Sequence, residues 1–281
     1  MDRLADLHIH TYLSDGTFSP EKVVEYSASK GLDAIAITDH DTCAAIEPAI
    51  EASKNFGLEI VPGVELAAEL EGAEIHILGY LIDWQNMLFL NKLREIADAR
   101  RNRAKEILKR LREKNVVISE EELFDFSGQG TVGRLHIAHL LLRKGFVFSI
   151  PEAFSRYIGD KAPCYVKKSR LLPEEVVGMI KDAVGVAVLA HPKTIKLKHK
   201  SIEDIVKLLV EKGIEGIEVY HSDQTKHDEK RLRNIADRYG LLVTGGSDCH
   251  GHGKKEILIG RVRVPYELIV KMKEFNKKRH E

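Results

Sequence analysis

The stretch Leu4-Ala5-Asp6-Leu7-His8-Ile9-His10 begins as an apolar run of strand length and ends on a His-x-His pair. Alternation with period two puts the side chains of His8 and His10 on one face of such a strand. Further runs of strand length follow at Ala34–Ile37, Glu59–Val61, Ile75–Leu78, Val186–Leu189, Gly216–Val219 and Leu242–Thr244. Amphipathic stretches such as Pro20–Lys30, Ile202–Lys212 and Lys226–Tyr239 lie between several of them. This alternation predicts βα units around a parallel sheet, an α/β fold. Ser19 before Pro20 is a good N-cap followed by proline at the first helical position.

One region departs from the rhythm. Between about Asp83 and Ala162 the strand signal fades and helical patterns replace it. Lys92–Lys114 reads as a single helix of good helix formers. It carries ten basic and four acidic residues, a charge run more often found on a solvated face than along an RNA track. The expected organisation is therefore a barrel domain, residues 1–82 with 163–281, and a helical insert, 83–162, serving as a lid or substrate arm.

Composition narrows the class. The chain has 281 residues, 43% hydrophobic and 31% charged, enough for a sizeable core. Lys+Arg and Asp+Glu both number 43, so the net charge is zero. That balance argues against extended nucleic-acid binding. Cys43, Cys164 and Cys249 form no C-x-x-C pair, which argues against a disulfide framework and for a reducing, cytoplasmic location. No apolar leader run opens the chain, and no stretch reaches the ~20 apolar residues of a membrane span.

Histidines and carboxylates recur at the ends of the strand runs. Asp15 follows His8 and His10 in a Ser-Asp-Gly turn that begins at Ser14. His40 lies in Thr38-Asp39-His40-Asp41, Glu65 in Pro62-Gly63-Val64-Glu65, and His76 in the next run. His191 lies in Ala190-His191-Pro192, while Asp248 and His250 lie in Ser247-Asp248-Cys249-His250. In a parallel barrel the C-terminal strand ends converge on one face, where ligands bind. Nine such groups brought together would repel or stay unsatisfied without cations between them. Imidazole with carboxylate suits Zn, Mn or Fe, and a bridging carboxylate suits a cluster of two to three divalent ions.

The ordered set resembles the PHP (polymerase and histidinol phosphatase) superfamily. The motifs are Asp6-Leu7-His8-Ile9-His10, Ser14-Asp15-Gly16, Thr38-Asp39-His40-Asp41, Gly63-Val64-Glu65, His76-Ile77-Leu78-Gly79, Ala190-His191-Pro192 and Ser247-Asp248-Cys249-His250. The resemblance covers nearly the whole chain and implies a distorted (β/α)7 barrel with a trinuclear site. His8, His10, Glu65 and Asp248 would hold one metal. Glu65 would bridge to a second, held also by His76 and His191. Asp15, His40 and His250 would hold the third.

The insert further resembles the stand-alone 3',5'-nucleotide bisphosphate phosphatase and 5'-3' exoribonuclease group. Its segments Arg134-Leu135-His136-Ile137-Ala138 and Tyr157-Ile158-Gly159-Asp160-Lys161 resemble that group's substrate-phosphate segments. Arg134, His136 and Lys161 would then bind substrate, with Ser14 touching a phosphate or only shaping the turn around Asp15. The implied activity is metal-dependent hydrolysis of nucleotide phosphate esters, 3',5'-bisphosphonucleotides or the 5' ends of short RNA, by a water whose pKa the ions lower. Two other readings are a histidinol-phosphate phosphatase and a non-catalytic, metal-bearing accessory module. The insert argues against the first and retention of all nine positions against the second. His221 and the basic segment Gly251-His252-Gly253-Lys254-Lys255 have no assigned role at this level.

Overall fold

Eight strands form one sheet in the order β7-β6-β5-β4-β3-β2-β1-β8. They are β1 (Leu4–Ile9), β2 (Ala34–Ile37), β3 (Glu59–Leu70), β4 (Ala73–Tyr80), β5 (Val186–Leu189), β6 (Gly216–His221), β7 (Leu242–Gly246) and β8 (Val264–Pro265). The computed structural model describes residues 3–128, 132–167, 170–197, 199–253 and 256–281. Strands β1, β2 and β3 run parallel, as do β5, β6 and β7. Strand β4 is antiparallel to both β3 and β5. The reversal follows from a two-residue hairpin turn. Glu71 and Gly72 both adopt left-handed backbone, with φ of 49° and 86°, the conformation whose twist matches paired antiparallel strands. The fully parallel sheet expected from the alternation is therefore interrupted by the reversed β4, and the short β8 also pairs antiparallel, with β1.

The sheet curls into a nearly closed barrel. Past β7, Asp248 N donates to His8 O at 2.8 Å and His10 N donates to Cys249 O at 2.9 Å, so this segment lies along β1. The buried carboxylate of Asp6 ties the same seam, accepting from Ser247 N at 2.8 Å and Gly260 N at 2.9 Å. The Tyr80 hydroxyl donates to Leu7 O at 2.7 Å. Because β4 and β1 are not neighbours in the sheet, that bond crosses the barrel interior. Leu7, Ala36, Val61, Leu78 and Val188 pack in the same apolar cluster. Helices cover the strands, and the three read from the sequence start at Pro20, Ile202 and Lys226 as expected. Ser19 caps the helix Pro20–Ser29 by accepting from Lys22 N. Thr225 and Asp228 form a reciprocal capping box at the start of Lys226–Tyr239.

The chain separates into two compact units, Met1–Asn91 with Arg170–Glu281, and Lys92–Ser169. The second is helical, with the helices Glu120–Ser127 and Arg134–Arg143, and has its own core of Ile107, Leu111, Leu123, Ile137, Leu141 and Ile158. The long basic helix covers Met87–Arg112. It begins where Asn86 caps it, its side-chain oxygen accepting from Leu88 N and Phe89 N at 3.0 Å each. Among the described residues no helix is long and apolar enough to cross a membrane.

Closure leaves no room at Gly246. A Cβ there would stand 2.3 Å from His8 N and 2.4 Å from His8 Cβ. Gly246→Ala should destabilise the protein by about 3 kcal/mol, the upper end of the cost of overpacking a filled site, since a backbone atom blocks it. Denaturant unfolding of the variant measures the loss, and wild-type stability would mean the seam is looser than described.

Candidate metal centre

The barrel mouth gathers imidazoles around one carboxylate. Glu65, 1% exposed, extends from β3 and faces a different set of imidazoles with each oxygen. Its Oε1 lies 2.8 Å from His76 Nδ1 and 2.9 Å from His191 Nε2. Its Oε2 lies 3.1 Å from His10 Nε2, 3.3 Å from His8 Nε2 and 3.4 Å from His40 Nδ1. Asp248 Oδ1 stands 3.3 Å from His10 Nε2, 3.6 Å from His8 Nε2 and 3.5 Å from His250 Nδ1. Asp15 meets His250 Nε2 at 3.2 Å and His40 Nε2 at 3.8 Å. All nine expected residues thus come together. Their donor atoms fall into overlapping sets compact enough for an ion, among them His8 with His10 and Asp248, His8 with Glu65 and His191, His40 with Glu65 and His76, and His10 with Asp15, His40 and His250.

The donors fit a cation better than they fit one another. Both ring nitrogens of His10 are buried and make no hydrogen bond, although carboxylate oxygens stand 3.1 to 3.7 Å away. Buried nitrogens without a hydrogen bond, beside carboxylate oxygens at that spacing, suit a divalent transition metal. The backbone is also held in uncommon conformations at the strand ends, with Asp41, His191 and Asp248 left-handed at φ of 56°, 26° and 51°.

Electrostatics follow from burial and proximity. Burial opposes charge on His10, yet Asp248 and Glu65 raise its pKa to about 10. His76 is likewise raised, to about 9, by Glu65. Burial pushes His40 down to about 4 in spite of Glu65. Burial would raise Glu65, but the imidazoles of His40, His76 and His8 hold it well below the usual carboxylate range. Asp248 is held low in the same way by His10 and His221.

The remaining expected residues divide. Ser14 donates its hydroxyl to Asp39 at 2.5 Å, and Asp39 also accepts from Thr11 N at 2.7 Å and Thr11 Oγ1 at 2.6 Å. These bonds shape the turn that presents Asp15. Arg134, His136 and Lys161 belong to the second unit. Arg134 Nη1 donates to Asp160 at 2.7 Å and to Ile158 O at 3.2 Å. His136 Nδ1 accepts from Gly133 N at 3.1 Å at the start of its helix, and Lys161 is exposed. His252 N donates to Thr17 Oγ1 at 2.8 Å, while Lys254 and Lys255 lie outside the described residues. Sequence reasoning missed Glu218 and gave His221 no role. Both are buried beside His8 and form a further compact set with it. The available signal was a lone acid in the otherwise apolar run Gly216-Ile217-Glu218-Val219.

With this geometry in hand, comparison with known proteins is specific. Residues 6–160 match the PHP domain model. The chain belongs to the PHP domain family and is a phosphoester hydrolase of it. It is 33% identical over 247 residues to the 5'-3' exoribonuclease Rnm of Escherichia coli, covering 87% of this chain and 84% of that one. It is 29% identical to the 3',5'-nucleoside bisphosphate phosphatase of Chromobacterium violaceum, covering 89% and 88%. A crystal structure described as a metal-dependent phosphoesterase from Bifidobacterium adolescentis superposes with a TM-score of 0.82 at 32% identity, covering 95% and 94%.

The shifts predict a pH signature for protein stripped of metal. His10 and His76 are raised, so their contribution is full below the unfolded value of about 6.5 and is lost as pH climbs toward 9–10. Glu65 and Asp248 are depressed, so theirs is present above about 4 and lost as pH falls. Melting in chelator should therefore peak on the acid side of neutrality and decline through pH 8–10. With saturating Mn the alkaline decline should disappear, because an ion takes the place of the imidazole protons. Identical alkaline limbs with and without Mn would contradict this.

Proposed function

We propose that this enzyme hydrolyses phosphate esters of nucleotides at a cluster of two to three divalent ions (Mn, Zn or Fe), within a reducing cytoplasm. The observation that carries the reading is Glu65, whose two oxygens face separate groups of imidazoles, as a carboxylate shared between two ions would. In this reading His8, His10 and Asp248 hold one ion with Glu65. His76 and His191 hold a second with Glu65, and Asp15, His40 and His250 hold a third. When bound, such ions supply positive charge to phosphate oxygens and lower the pKa of a water toward neutrality. The residues of the chain fix the spacing of that charge, and His40, held neutral by burial, keeps a lone pair for coordination. The buried cysteines, all free, are compatible with the compartment.

The substrate class is supported by the relatives, one named for RNA and one for bisphosphonucleotides. Arg134, His136 and Lys161 are the proposed substrate-phosphate residues, on the strength of the segments that carry them. A turnover screen with added Mn tests the reading, following inorganic phosphate from 3'-phosphoadenosine 5'-phosphate, AMP and histidinol phosphate, and released mononucleotide from 5'-phosphorylated RNA. Turnover confined to histidinol phosphate, or none at all, would overturn it.

Two variants test the assignments. Glu65→Gln should lower both metal content, read by elemental analysis, and turnover, because a bridging charge is lost. Full metal content with full activity would remove the bridge. Arg134→Ala should lower kcat/KM for a 3',5'-bisphosphonucleotide by roughly ten- to a hundredfold. That is the loss of a charge-assisted bond of about 1.5–3 kcal/mol at ~1.4 kcal/mol per tenfold. An aryl phosphate should be much less affected. Equal losses would place Arg134 at the reacting phosphate, and no loss would leave it with its helix-start contacts to Asp160 and Ile158 O.

A further inference from the structure

Strand β6 contributes none of the nine residues, yet two of its side chains reach them. Glu218 is fully buried. Its Oε1 lies 2.9 Å from His8 Nδ1, and its Oε2 accepts from His191 N at 2.7 Å. His221, 3% exposed, has its Nδ1 occupied as acceptor of Asp223 N–H at 3.1 Å. Its Nε2 therefore carries the proton. That nitrogen is buried without a hydrogen bond and stands 3.5 Å from Asp248 Oδ2. In a regular strand, residues three apart point to opposite faces. Here the register between β6 and β7 shifts between Glu218 and Tyr220, two residues on β6 advancing against one on β7. Such a bulge re-aims the side chains beyond it, which brings Glu218 and His221 to the same face.

The compact set of His8, Glu218 and His221 also invites a reading as a further ion site. The lone pairs argue otherwise. A neutral imidazole has one. His8 directs its Nε2 at Glu65 and Asp248, at 3.3 and 3.6 Å, so its Nδ1 holds the proton given to Glu218. The lone pair of His221 is engaged by the Asp223 amide. We propose that β6 orients the metal cluster without binding it: Glu218 fixes the ring of His8 and the strand end at His191, and His221 presents an N–H to the Asp248 carboxylate. Both are positioning residues. The proposal rests on the metal-dependent reading above, and adds the outer hydrogen bonds that set how the ligands face the ions and how basic they are.

Equilibrium dialysis against Mn, with ions per chain counted by elemental analysis, tests it on the full chain. Glu218→Gln and His221→Phe should each saturate with the same number of ions as wild type but need about 10- to 100-fold more Mn for half-saturation. His221→Gln retains an N–H donor and should recover most of the loss, which a merely space-filling role would not produce. Melting of the metal-free forms establishes that each variant is folded. Should Glu218→Gln fail that check, Glu218→Asp, which keeps the charge on a shorter stem, carries the same expectation. A variant that saturates with fewer ions than wild type would make its residue a ligand and overturn the proposal. Unchanged half-saturation in the folded Glu218 and His221→Phe variants would overturn it too. Wild-type protein that takes up no Mn would instead overturn the metal-dependent reading, and this proposal with it.

Discussion

A carboxylate with 1% exposure surrounded by five imidazole nitrogens within 3.4 Å is the constraint on which the barrel mouth rests. Removing a charge from water costs several kcal/mol even after relaxation. Glu65 is stable there only because compensating positive charge converges on it, carried by protons or by ions. The same demand explains the neighbours. Asp248 is held low by His10 and His221, and His8 is raised by Glu218 and Glu65 against its own burial. Each group is unfavourable alone and acceptable only within the set. This couples residues on β1, β3, β4 and β6 and after β2, β5 and β7 into one electrostatic unit.

Much of this was legible in the sequence, for physical reasons. Ala34–Ile37 and Val186–Leu189 are short apolar runs buried throughout, and their bounds match the strands residue for residue. Lys226–Tyr239 is equally clear because its capping box and its C-terminal Gly240 mark both ends. The longer strands were not clear. In β3, Ala67-Ala68-Glu69 lacks the β-branched and aromatic residues that signal a strand, and pairing with β4 supplies what local preference does not. The reversed direction of β4 depends on the backbone at Glu71 and Gly72, which a single glycine in sequence does not announce.

The site shows the same division. The nine histidines and carboxylates stand out because they recur at the ends of successive strand runs. Glu218 did not stand out, since a single acid in an apolar run reads as ordinary alternation. His221 could not be placed, because its direction depends on a bulge, which pattern reading assumes absent. Arg134 illustrates the opposite limit. Its segment carries a family likeness, while its contacts, Asp160 and Ile158 O, are those of a helix-start arginine holding a loop.

The seam between β1 and the segment after β7 has a consequence for how the protein comes into being. Asp6 and Ser247, bonded at 2.8 Å, are 241 residues apart in sequence. At roughly 5–20 residues per second of synthesis, about 12–50 s separate their appearance on the ribosome. The helical unit Lys92–Ser169 is contiguous and complete within that interval, so its core can form first, while the two parts of the barrel that flank it are still being joined. For the whole of that time His8, on β1, and His10, just past it, lack the segment that closes against them. The histidine–carboxylate pocket is therefore a late product of folding, and a chain cut short between His191 and Asp248 carries seven of the nine groups without the closing segment that bonds to His8 and His10.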